Sequence, residues 1–314
     1  MGGTTAGPQG GAGGVCVILN PAAGKGRGAK AEPAVRRAFA GVGVTDVRLT
    51  RARGDERVFA LHAIEEGFGT IVAVGGDGTW SNVANTIITS RADVRLGLAA
   101  AGTGNDFAKT VGVPATDYVA TARLAVEGPD VAVDVGRIEG KYFLNVTGFG
   151  FDTAVLEDVE KITLLRGDLV YAYSALRQLF GYAGISIDVS TLKERRGVVQ
   201  HLMLIIANGR NFGGAFRIAP DASLTDGRLD AIAIRTAPPL RRVRLFAAAS
   251  RGTHGMQPEV HTEQATSFTL TFTAPPAYET DGEYNRACSA TLEVRCVPRA
   301  LRVVTPLATA AQPA

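Results

Sequence analysis

The first half of the chain alternates short apolar runs with longer amphipathic stretches. Residues 15–19, 70–74 and 95–100 are runs in which most positions are apolar, and residues 44–50 alternate between apolar and polar positions. Both patterns predict β-strands. The stretches 30–39, 56–66 and 82–88 carry apolar residues at helical spacing. Strands that alternate with helices predict a parallel sheet in an α/β domain.

Beyond about residue 134 the pattern changes to a succession of strands. Predicted strands cover residues 131–135, 141–147, 186–190, 198–207, 229–234, 267–273 and 290–297. Only residues 168–181 and 241–250 have a strongly helical pattern. We therefore predict an α/β domain over residues 15–136 and a β-rich domain, a sandwich or a barrel, over residues 137–299. Residues 1–14 and 307–314 are expected to be flexible tails.

Glycine-rich segments directly follow three of the apolar strands. They are Asn20-Pro21-Ala22-Ala23-Gly24-Lys25-Gly26-Arg27-Gly28, Gly75-Gly76-Asp77-Gly78-Thr79 and Gly102-Thr103-Gly104-Asn105-Asp106. In an open α/β sheet ligands bind beyond the carboxyl ends of the strands, and glycine lets backbone N–H groups surround phosphate oxygens. One such segment is as often a plain tight turn, but three in succession indicate a phosphate site. GxxxxGK[ST] is absent, and so is a well-placed GxGxxG, which excludes a P-loop enzyme and disfavours a dehydrogenase.

Carboxylates occur within these segments, where they would face phosphate. Asp77 and Asp106 lie in the turns, and Asp134 lies at the predicted domain join. Anions beside phosphate need a cation between them, and Mg²⁺ is usually held by one or two carboxylates together with substrate phosphates. The alternative for Asp77 is that it caps the following helix.

Two further polar segments lie in the β-rich half. Thr280-Asp281-Gly282-Glu283 reads either as an Asp-Gly hairpin turn or as a carboxylate base that takes a proton from a hydroxyl. Residues 220–229 read as a turn or as a small cation loop.

The amino-acid composition limits the kinds of partner and location that we expect for this protein. The 314 residues carry 33 Lys and Arg against 30 Asp and Glu, and this net charge of +3 gives no reason to expect nucleic-acid binding. The three cysteines form no CxxC, so reduced thiols of a cytoplasmic protein are expected. No apolar run reaches the ~18 residues of a transmembrane helix, and the first residues lack the pattern of a signal peptide.

Taken together, four motifs resemble the diacylglycerol kinase catalytic-domain family, which includes bacterial soluble lipid kinases and the sphingosine and ceramide kinases. They are Asn20-Pro21-x-x-Gly24, the GGDGT at residues 75–79, the GTGNDF at residues 102–107 and Asp281-Gly282-Glu283. The resemblance implies a nucleotide-binding α/β domain related to NAD kinases, a β-sandwich domain, and an active site in the cleft between them. It also implies that residues 300–306 return to the first domain as a strand.

The resemblance assigns roles to individual residues. It implies that ATP is the phosphoryl donor and that its binding involves Asn20, Pro21, Ala22, Ala23, Gly24, Gly75, Gly76, Asp77, Gly78 and Thr79, with Thr50 and Thr103 as further nucleotide contacts. It implies a catalytic Mg²⁺ surrounded by Asp77, Asp106 and Asp134, and a second, structural Mg²⁺ at Ser223, Asp226 and the backbone of Arg228. Asp281 and Glu283 match the acidic pair that supplies the general base, with Asp77 as a rival because sphingosine kinases use the corresponding aspartate.

The chain departs from this family at one motif. Bacterial members commonly have Leu-Asn-Glu after GGDGT, and this chain has Trp80-Ser81-Asn82, which removes one carboxylate. We expect an ATP-dependent lipid kinase that acts on diacylglycerol and binds the membrane surface peripherally. A kinase of sphingoid bases or ceramide and an NAD kinase-like phosphotransferase are the alternatives, and a homodimer stays open.

Overall fold

The computed structural model describes residues 13–114, 116–161, 168–191 and 195–306. The expected flexible tails lie outside the described residues except for Gly13 and Gly14. The chain divides into a first unit, residues 1–133 with 300–314, and a second unit, residues 134–299. The division falls three residues before the expected end of the first domain at 136.

Strands and helices alternate through the first unit, as the apolar pattern predicts. The elements are β1 Val15–Leu19, α1 Ala23–Ala40, β2 Val47–Leu49, α2 Asp55–Glu65, β3 Thr70–Gly75, α3 Asp77–Ser90, β4 Arg95–Ala100, α4 Asp106–Thr110 and α5 Tyr118–Glu127, and β5 Asp130–Ile138 runs on into the second unit. Every residue of β3 is buried, and so is nearly every residue of β1 and β4. Continuous burial is typical of parallel strands with helices on both faces.

The parallel sheet of the first unit has the order β4–β3–β1–β2. The chain places β2 on one side of β1 and β3 on the other, so the direction of winding reverses between β1 and β3. Such a reversal opens a crevice at the carboxyl ends of the two strands. Near the C-terminus, Arg302 and Val303 pair in parallel with Arg95 and Leu96 of β4.

The second unit is mostly antiparallel. Its elements are β6 Lys141–Phe143, β7 Val146–Gly150, α6 Phe151–Lys161, α7 Asp168–Gly181, β8 Ile185–Ser190, β9 Arg195–Ala207, β10 Leu229–Arg235, α8 Pro239–Ser250, a 3₁₀ turn at His254–Met256, β11 Val260–Ala265, β12 Ser267–Phe272, β13 Ala277–Thr280, β14 Glu283–Arg286 and β15 Thr291–Val304. β15 ends in the first unit.

Strand β9 organises the second unit. It pairs with β8 along residues 195–201, and along residues 201–207 with β10 and β7. Leu204 and Ile206 belong to a core with the aromatic residues of β7 and β12, whereas Met203 and Ile205 belong to a second core that includes Leu245 of α8. This alternation is what the period of 2 along a strand requires.

The predicted fold class is confirmed, and the differences are local. Helices α4, α5 and α6 and strands β11, β13 and β14 were not predicted. The single strand predicted over residues 141–147 is two strands, β6 and β7. They are separate because the amides of Leu144 and Asn145 donate to a side-chain carboxylate and not to a neighbouring strand.

Candidate active site

The loop after β1 has an unusual backbone. Gly24, Lys25 and Gly26 all have left-handed φ angles, of 57°, 59° and 90°. Glycine adopts this conformation without steric cost, whereas for Lys25 it costs about 1 kcal/mol. A Cβ on Gly24 would lie 2.3 Å from the carbonyl oxygen of Ala101, so this loop packs on the chain that follows β4.

The loops after β3 and β4 touch through their glycines. A Cβ on Gly102 would lie 2.5 Å from the Cα of Gly76, and one on Gly75 would collide with Thr79. The Gly102 loop is closed by Asn105, whose Oδ1 accepts from the amide of Gly102 at 3.0 Å and whose Nδ2 donates to its carbonyl oxygen. Only glycine at these positions allows so close an approach of two backbones.

Side chains join the first loop to the second. The Nδ2 of Asn20 donates to the Oγ1 of Thr79 at 3.1 Å, and its Oδ1 accepts from the amide of Ala22 at 3.0 Å. Gly28 packs against this asparagine, since a Cβ there would lie 2.0 Å from the carbonyl oxygen of Asn20. The three glycine-rich loops therefore meet at the carboxyl ends of β1, β3 and β4, where backbone amides can bind an anion.

Two of the predicted carboxylates lie among these loops. The Oδ1 of Asp77 accepts from the amide of Phe107 at 3.0 Å, and the Oδ1 of Asp106 accepts from the Nζ of Lys109 at 2.9 Å. The pKa of Asp77 is raised above its ordinary value. Burial is the largest cause and the charge of Asp106 adds to it, whereas the bond from Phe107 acts in the opposite direction. Helix α3 has no side-chain cap, so Asp77 does not cap the helix that it begins.

The chemistry of this pair fits a magnesium ion. The charge of Asp106 helps to raise the pKa of Asp77, a divalent cation would relieve that repulsion, and Mg²⁺ takes oxygen ligands. Among the described residues no three His, Cys, Asp or Glu side chains form a metal cluster. Most ligands of an ion beside Asp77 and Asp106 would therefore be phosphate oxygens and water.

The other predicted nucleotide contacts lie on the same strands and loops. Thr50 follows β2, is buried, and its amide donates to the carbonyl oxygen of Leu19, whereas Thr103 is exposed. Asn82, which replaces the family's glutamate, donates to the Oε1 of the buried Glu56 at 3.2 Å and accepts from Arg57. A carboxylate thus reaches this position from α2.

In the second unit, Asp281 lies in the turn between β13 and β14 and is 7% exposed. Its Oδ2 accepts from the amide of Leu144 at 2.8 Å, and its Oδ1 accepts from the amides of Asn145 at 2.9 Å and Val146 at 3.1 Å. Glu283, the other member of the predicted acidic pair, begins β14 and is partly exposed.

Asp134 is also bound by backbone amides. Its Oδ1 accepts from the amide of Arg299 at 2.8 Å and its Oδ2 from the amide of Gly227 at 2.6 Å. The structure therefore brings Asp134 together with the predicted cation loop. It also links Asp134 to the Asp281 region, because the Nδ2 of Asn208 donates to the carbonyl oxygens of both Asp134 and Leu144.

The predicted structural metal residues lie in one loop before β10. Asp226 accepts from the amide of Arg228 and from the side chain of Gln264, and Ser223 accepts from the amide of Thr225. Burial, with the charges of Asp226 and Asp221, raises the pKa of Asp230 to about 6. Carboxylates that repel one another in this way suit a hard cation.

Buried polar residues that the sequence analysis missed surround these predicted ones. Asn145 and Asn208 connect Asp281 to Asp134. Asp152 is 9% exposed, neither of its carboxylate oxygens has a hydrogen-bond partner among the described residues, and burial raises its pKa to about 7. The signal for Asp152 was the Gly-Phe-Gly-Phe-Asp run at residues 148–152, in which a Cβ on Gly148 would lie 1.9 Å from the Oδ2 of Asp152.

Comparison with known proteins matches each half of the chain to a family model. Residues 14–138 match the family model of the diacylglycerol kinase catalytic domain, and residues 145–305 match that of the YegS C-terminal NAD kinase beta sandwich-like domain.

Relatives that align with most of the chain are also diacylglycerol kinases. A diacylglycerol kinase of Mycobacterium tuberculosis is 30% identical over 300 residues, covering 93% of this chain and 95% of that protein. One of Bacillus subtilis is 28% identical over 271 residues, covering 85% and 89%. A crystal structure of a diacylglycerol kinase from Bacillus anthracis has the same fold, with a TM-score of 0.74 at 20% identity over 94% of this chain and 98% of that one. The chain is a lipid kinase, with ATP as the expected phosphoryl donor, and belongs to the diacylglycerol kinase family.

Proposed function

We propose that this protein transfers the γ-phosphoryl group of ATP to the free hydroxyl of diacylglycerol, giving phosphatidic acid and ADP. The observation that carries the proposal is the meeting of three glycine-rich loops at the switch point of the parallel sheet. Their amides suit a triphosphate, and the relatives named diacylglycerol kinase supply the acceptor.

In the reaction the lipid oxygen bonds to the γ-phosphorus, the bond from that phosphorus to the β–γ bridging oxygen breaks, and ADP leaves. The hydroxyl proton passes to a carboxylate, for which Asp281, Glu283 and Asp77 are the candidates. In the proposed site Asn20 fixes Thr79 beside the phosphates, and the loop amides stabilise the charge of the transferring group.

Asp77 and Asp106 would hold Mg²⁺, which when bound neutralises part of the phosphate charge. We propose that Asp134 belongs to the surroundings of this ion through water, as the family resemblance implies. Ser223, Asp226 and the carbonyl oxygen of Arg228 would hold a second, structural ion, and the repulsion around Asp230 supports a cation there.

We further propose that the second unit docks on the membrane from which the substrate comes. Among the described residues no helix has both the length and the apolar character needed to cross a bilayer. On α7, Tyr173, Leu176 and Phe180 are 51–60% exposed at the spacing i, i+3, i+7, so they share one face. Helix α8 adds the exposed Leu240 and Val243.

The two helices are fixed to each other by a buried arginine. The guanidinium of Arg242 on α8 donates to the carbonyl oxygens of Leu179 and Tyr182 at the end of α7. Arg244 is exposed on α8, and Arg177 on α7 is exposed while its guanidinium pairs with the carboxylate of Asp158. Apolar side chains interspersed with arginines suit an anionic lipid surface, where each arginine contributes about 1 kcal/mol.

The catalytic proposal is tested with radiolabelled ATP and four acceptors: diacylglycerol in mixed micelles, sphingosine, ceramide and NAD in solution. We expect label in phosphatidic acid, and its loss when EDTA removes divalent cations. Label in NAD alone, or in a sphingoid lipid but not in diacylglycerol, would refute the proposed acceptor.

The docking proposal is tested by sedimentation with phosphatidylglycerol vesicles. The triple variant Tyr173→Ser, Leu176→Ser, Phe180→Ser should lose vesicle binding and keep its activity on a short-chain diacylglycerol dispersed in detergent. Val119→Ser, which changes a residue of the first unit that is 52% exposed, is the matched control. Equal binding by both variants would show that the α7 face does not contact lipid.

A further inference from the structure

The carboxylate of Asp281 is hydrogen-bonded to the backbone of another segment, residues 144–146. It accepts three amide N–H groups, from Leu144, Asn145 and Val146, at 2.8–3.1 Å. Its own amide donates to the carbonyl oxygen of Val146 at 3.1 Å. The residue has a left-handed φ of 48°, which costs a non-glycine residue about 1 kcal/mol. Because this φ is unfavourable for aspartate, the contacts around the turn must stabilise it.

This geometry leaves little room for proton abstraction. A carboxylate has about four lone-pair positions, and three of those on Asp281 are directed at amide hydrogens. Hydrogen bonds to the charged form of a carboxylate favour that form, so a proton taken up by Asp281 would weaken its bonds to these three buried amides.

We propose that Asp281 is a positioning residue and does not accept the proton of the lipid hydroxyl. This inference rests on the proposed kinase function and concerns only how that reaction is supported. Proton acceptance then falls to another carboxylate, and Glu283, two residues further at the start of β14 and partly exposed, is the member of the acidic pair that can take it.

What Asp281 positions is a network of buried polar residues. The carbonyl oxygen of Asn145 accepts from the amides of Asn208 and Gly209. Asn208 in turn donates to the carbonyl oxygens of Leu144 and Asp134. Without the Asp281 carboxylate the corner between β6 and β7 would contain three unsatisfied amides, and the contacts that extend from it to Asp134 would lose their anchor.

Gly209 shows how tightly the corner between β6 and β7 is packed around Asn145. A Cβ there would lie 1.9 Å from the Oδ1 of Asn145, so the asparagine side chain occupies the space that a residue other than glycine would need. On the opposite side of the turn, the Oε2 of Glu279 accepts from the amide of Gly282 at 2.8 Å. This bond helps to fix the turn that carries Asp281.

The first test is hydrogen exchange, which requires no turnover. In the wild-type protein the amides of residues 144–146 should be protected. In Asp281→Ala they should exchange at least about tenfold faster, whereas Glu293→Gln, an exposed change on β15, should leave them unaltered. Unprotected amides in the wild type, or unchanged exchange in Asp281→Ala, would overturn the proposal.

The second test separates positioning from proton acceptance. Asp281→Asn keeps one oxygen for the amides of Asn145 and Val146, so we expect it to retain about a tenth of kcat, with the acidic limb of the pH profile in place. Asp281→Ala should lose at least 100-fold, and Glu283→Gln should lose the acidic limb.

If Asp281 is the base, Asn and Ala at position 281 will be equally inactive and the acidic limb will vanish in both. Failure of the wild type to phosphorylate any lipid would instead refute the proposed function, and the exchange result would still stand.

Discussion

The two units build their polar sites by opposite means. In the first unit, glycine-rich loops bring backbone segments into close contact, and side chains such as Asn20 and Asn105 hold those loops in place. In the second unit, side-chain carboxylates turn inward to bind backbone amides, as Asp134 and Asp281 do. We propose that the first arrangement offers backbone donors to an anion that binds from outside, whereas the second uses the protein's own carboxylates to order its backbone.

This difference predicts how the polar site of each unit will respond to substitution. A site made of backbone amides has no side chain that can be removed, so it is damaged by adding atoms where loops touch. A site made of buried carboxylates is damaged by removing them, because several amides then lose their partner at once.

The largest effect is expected from adding a methyl group between the loops of the first unit. In Gly102→Ala the new Cβ would lie 2.5 Å from the Cα of Gly76 and 2.6 Å from the Oδ1 of Asn105. Because both loops must move, we expect kcat/KM for ATP to fall by at least about 100-fold.

The measurement is initial-rate kinetics at varied ATP. The control is Gly255→Ala, in which the same methyl group would meet no atom within 4 Å. Comparable losses in the two variants would mean that the contact between Gly76 and Gly102 is not what makes the loop sensitive.

The next effect concerns Asp77, a carboxylate of the first unit that accepts a hydrogen bond from a backbone amide. Asp77→Asn removes the charge that we propose balances a cation, and the amide of Phe107 can still donate to the remaining oxygen. We expect kcat to fall by roughly 100-fold and the Mg²⁺ concentration at half-maximal rate to rise. A rate with unaltered dependence on Mg²⁺ would remove Asp77 from the metal site.

The same contrast explains what the sequence can predict. The loops of the first unit are local, because strand, glycine-rich segment and helix follow one another within a short stretch of chain. Their order could therefore be predicted from residues 15–28 and 70–90, whereas α1 and α3 begin seven and five residues before the predicted helices at 30–39 and 82–88. The Gly76–Gly102 contact is also foreseeable, because parallel neighbouring strands bring their following loops together.

The second unit was less predictable because its contacts are distant in sequence. Nothing near Asp281 indicates that its partners are the amides of residues 144–146, and the same bonds divide the predicted strand 141–147 into β6 and β7. Asn145 and Asn208 look like ordinary polar residues until pairing of β7 with β9 brings them together. Helix α6 was missed because it begins directly after β7 without a polar turn.

A smaller effect tests the inward-facing network without touching a carboxylate. Asn208→Ala removes the donor shared by the carbonyl oxygens of Asp134 and Leu144. Two lost hydrogen bonds in a buried place should lower the free energy of unfolding by about 3 kcal/mol, measured by urea denaturation.

Asn85→Ala, which removes the bonds from this side chain to Ser81 in its own helix, should cost no more than about 1 kcal/mol. Equal costs for the two variants would show that the network in the second unit adds nothing to its stability.

The smallest effect depends on pH and concerns Asp152, a buried carboxyl that no amide of another described segment binds. Burial raises the pKa of Asp152 from 3.8 to about 7, with Tyr182 and Glu279 as its titratable neighbours. Because the folded state binds this proton more tightly than the unfolded state, the stability from this group is greatest at low pH and falls as pH rises from about 4 to 7.

We expect unfolding free energy to be about 2 kcal/mol lower at pH 8 than at pH 5 through Asp152 alone, and Asp152→Asn to remove that difference. An Asp152→Asn protein whose stability changes with pH as much as the wild type would mean that the carboxyl is already stabilised as an anion. In that case Asp152 would resemble Asp281 and Asp134, and the contrast between carboxylates bound by amides and one without them would not hold within the second unit.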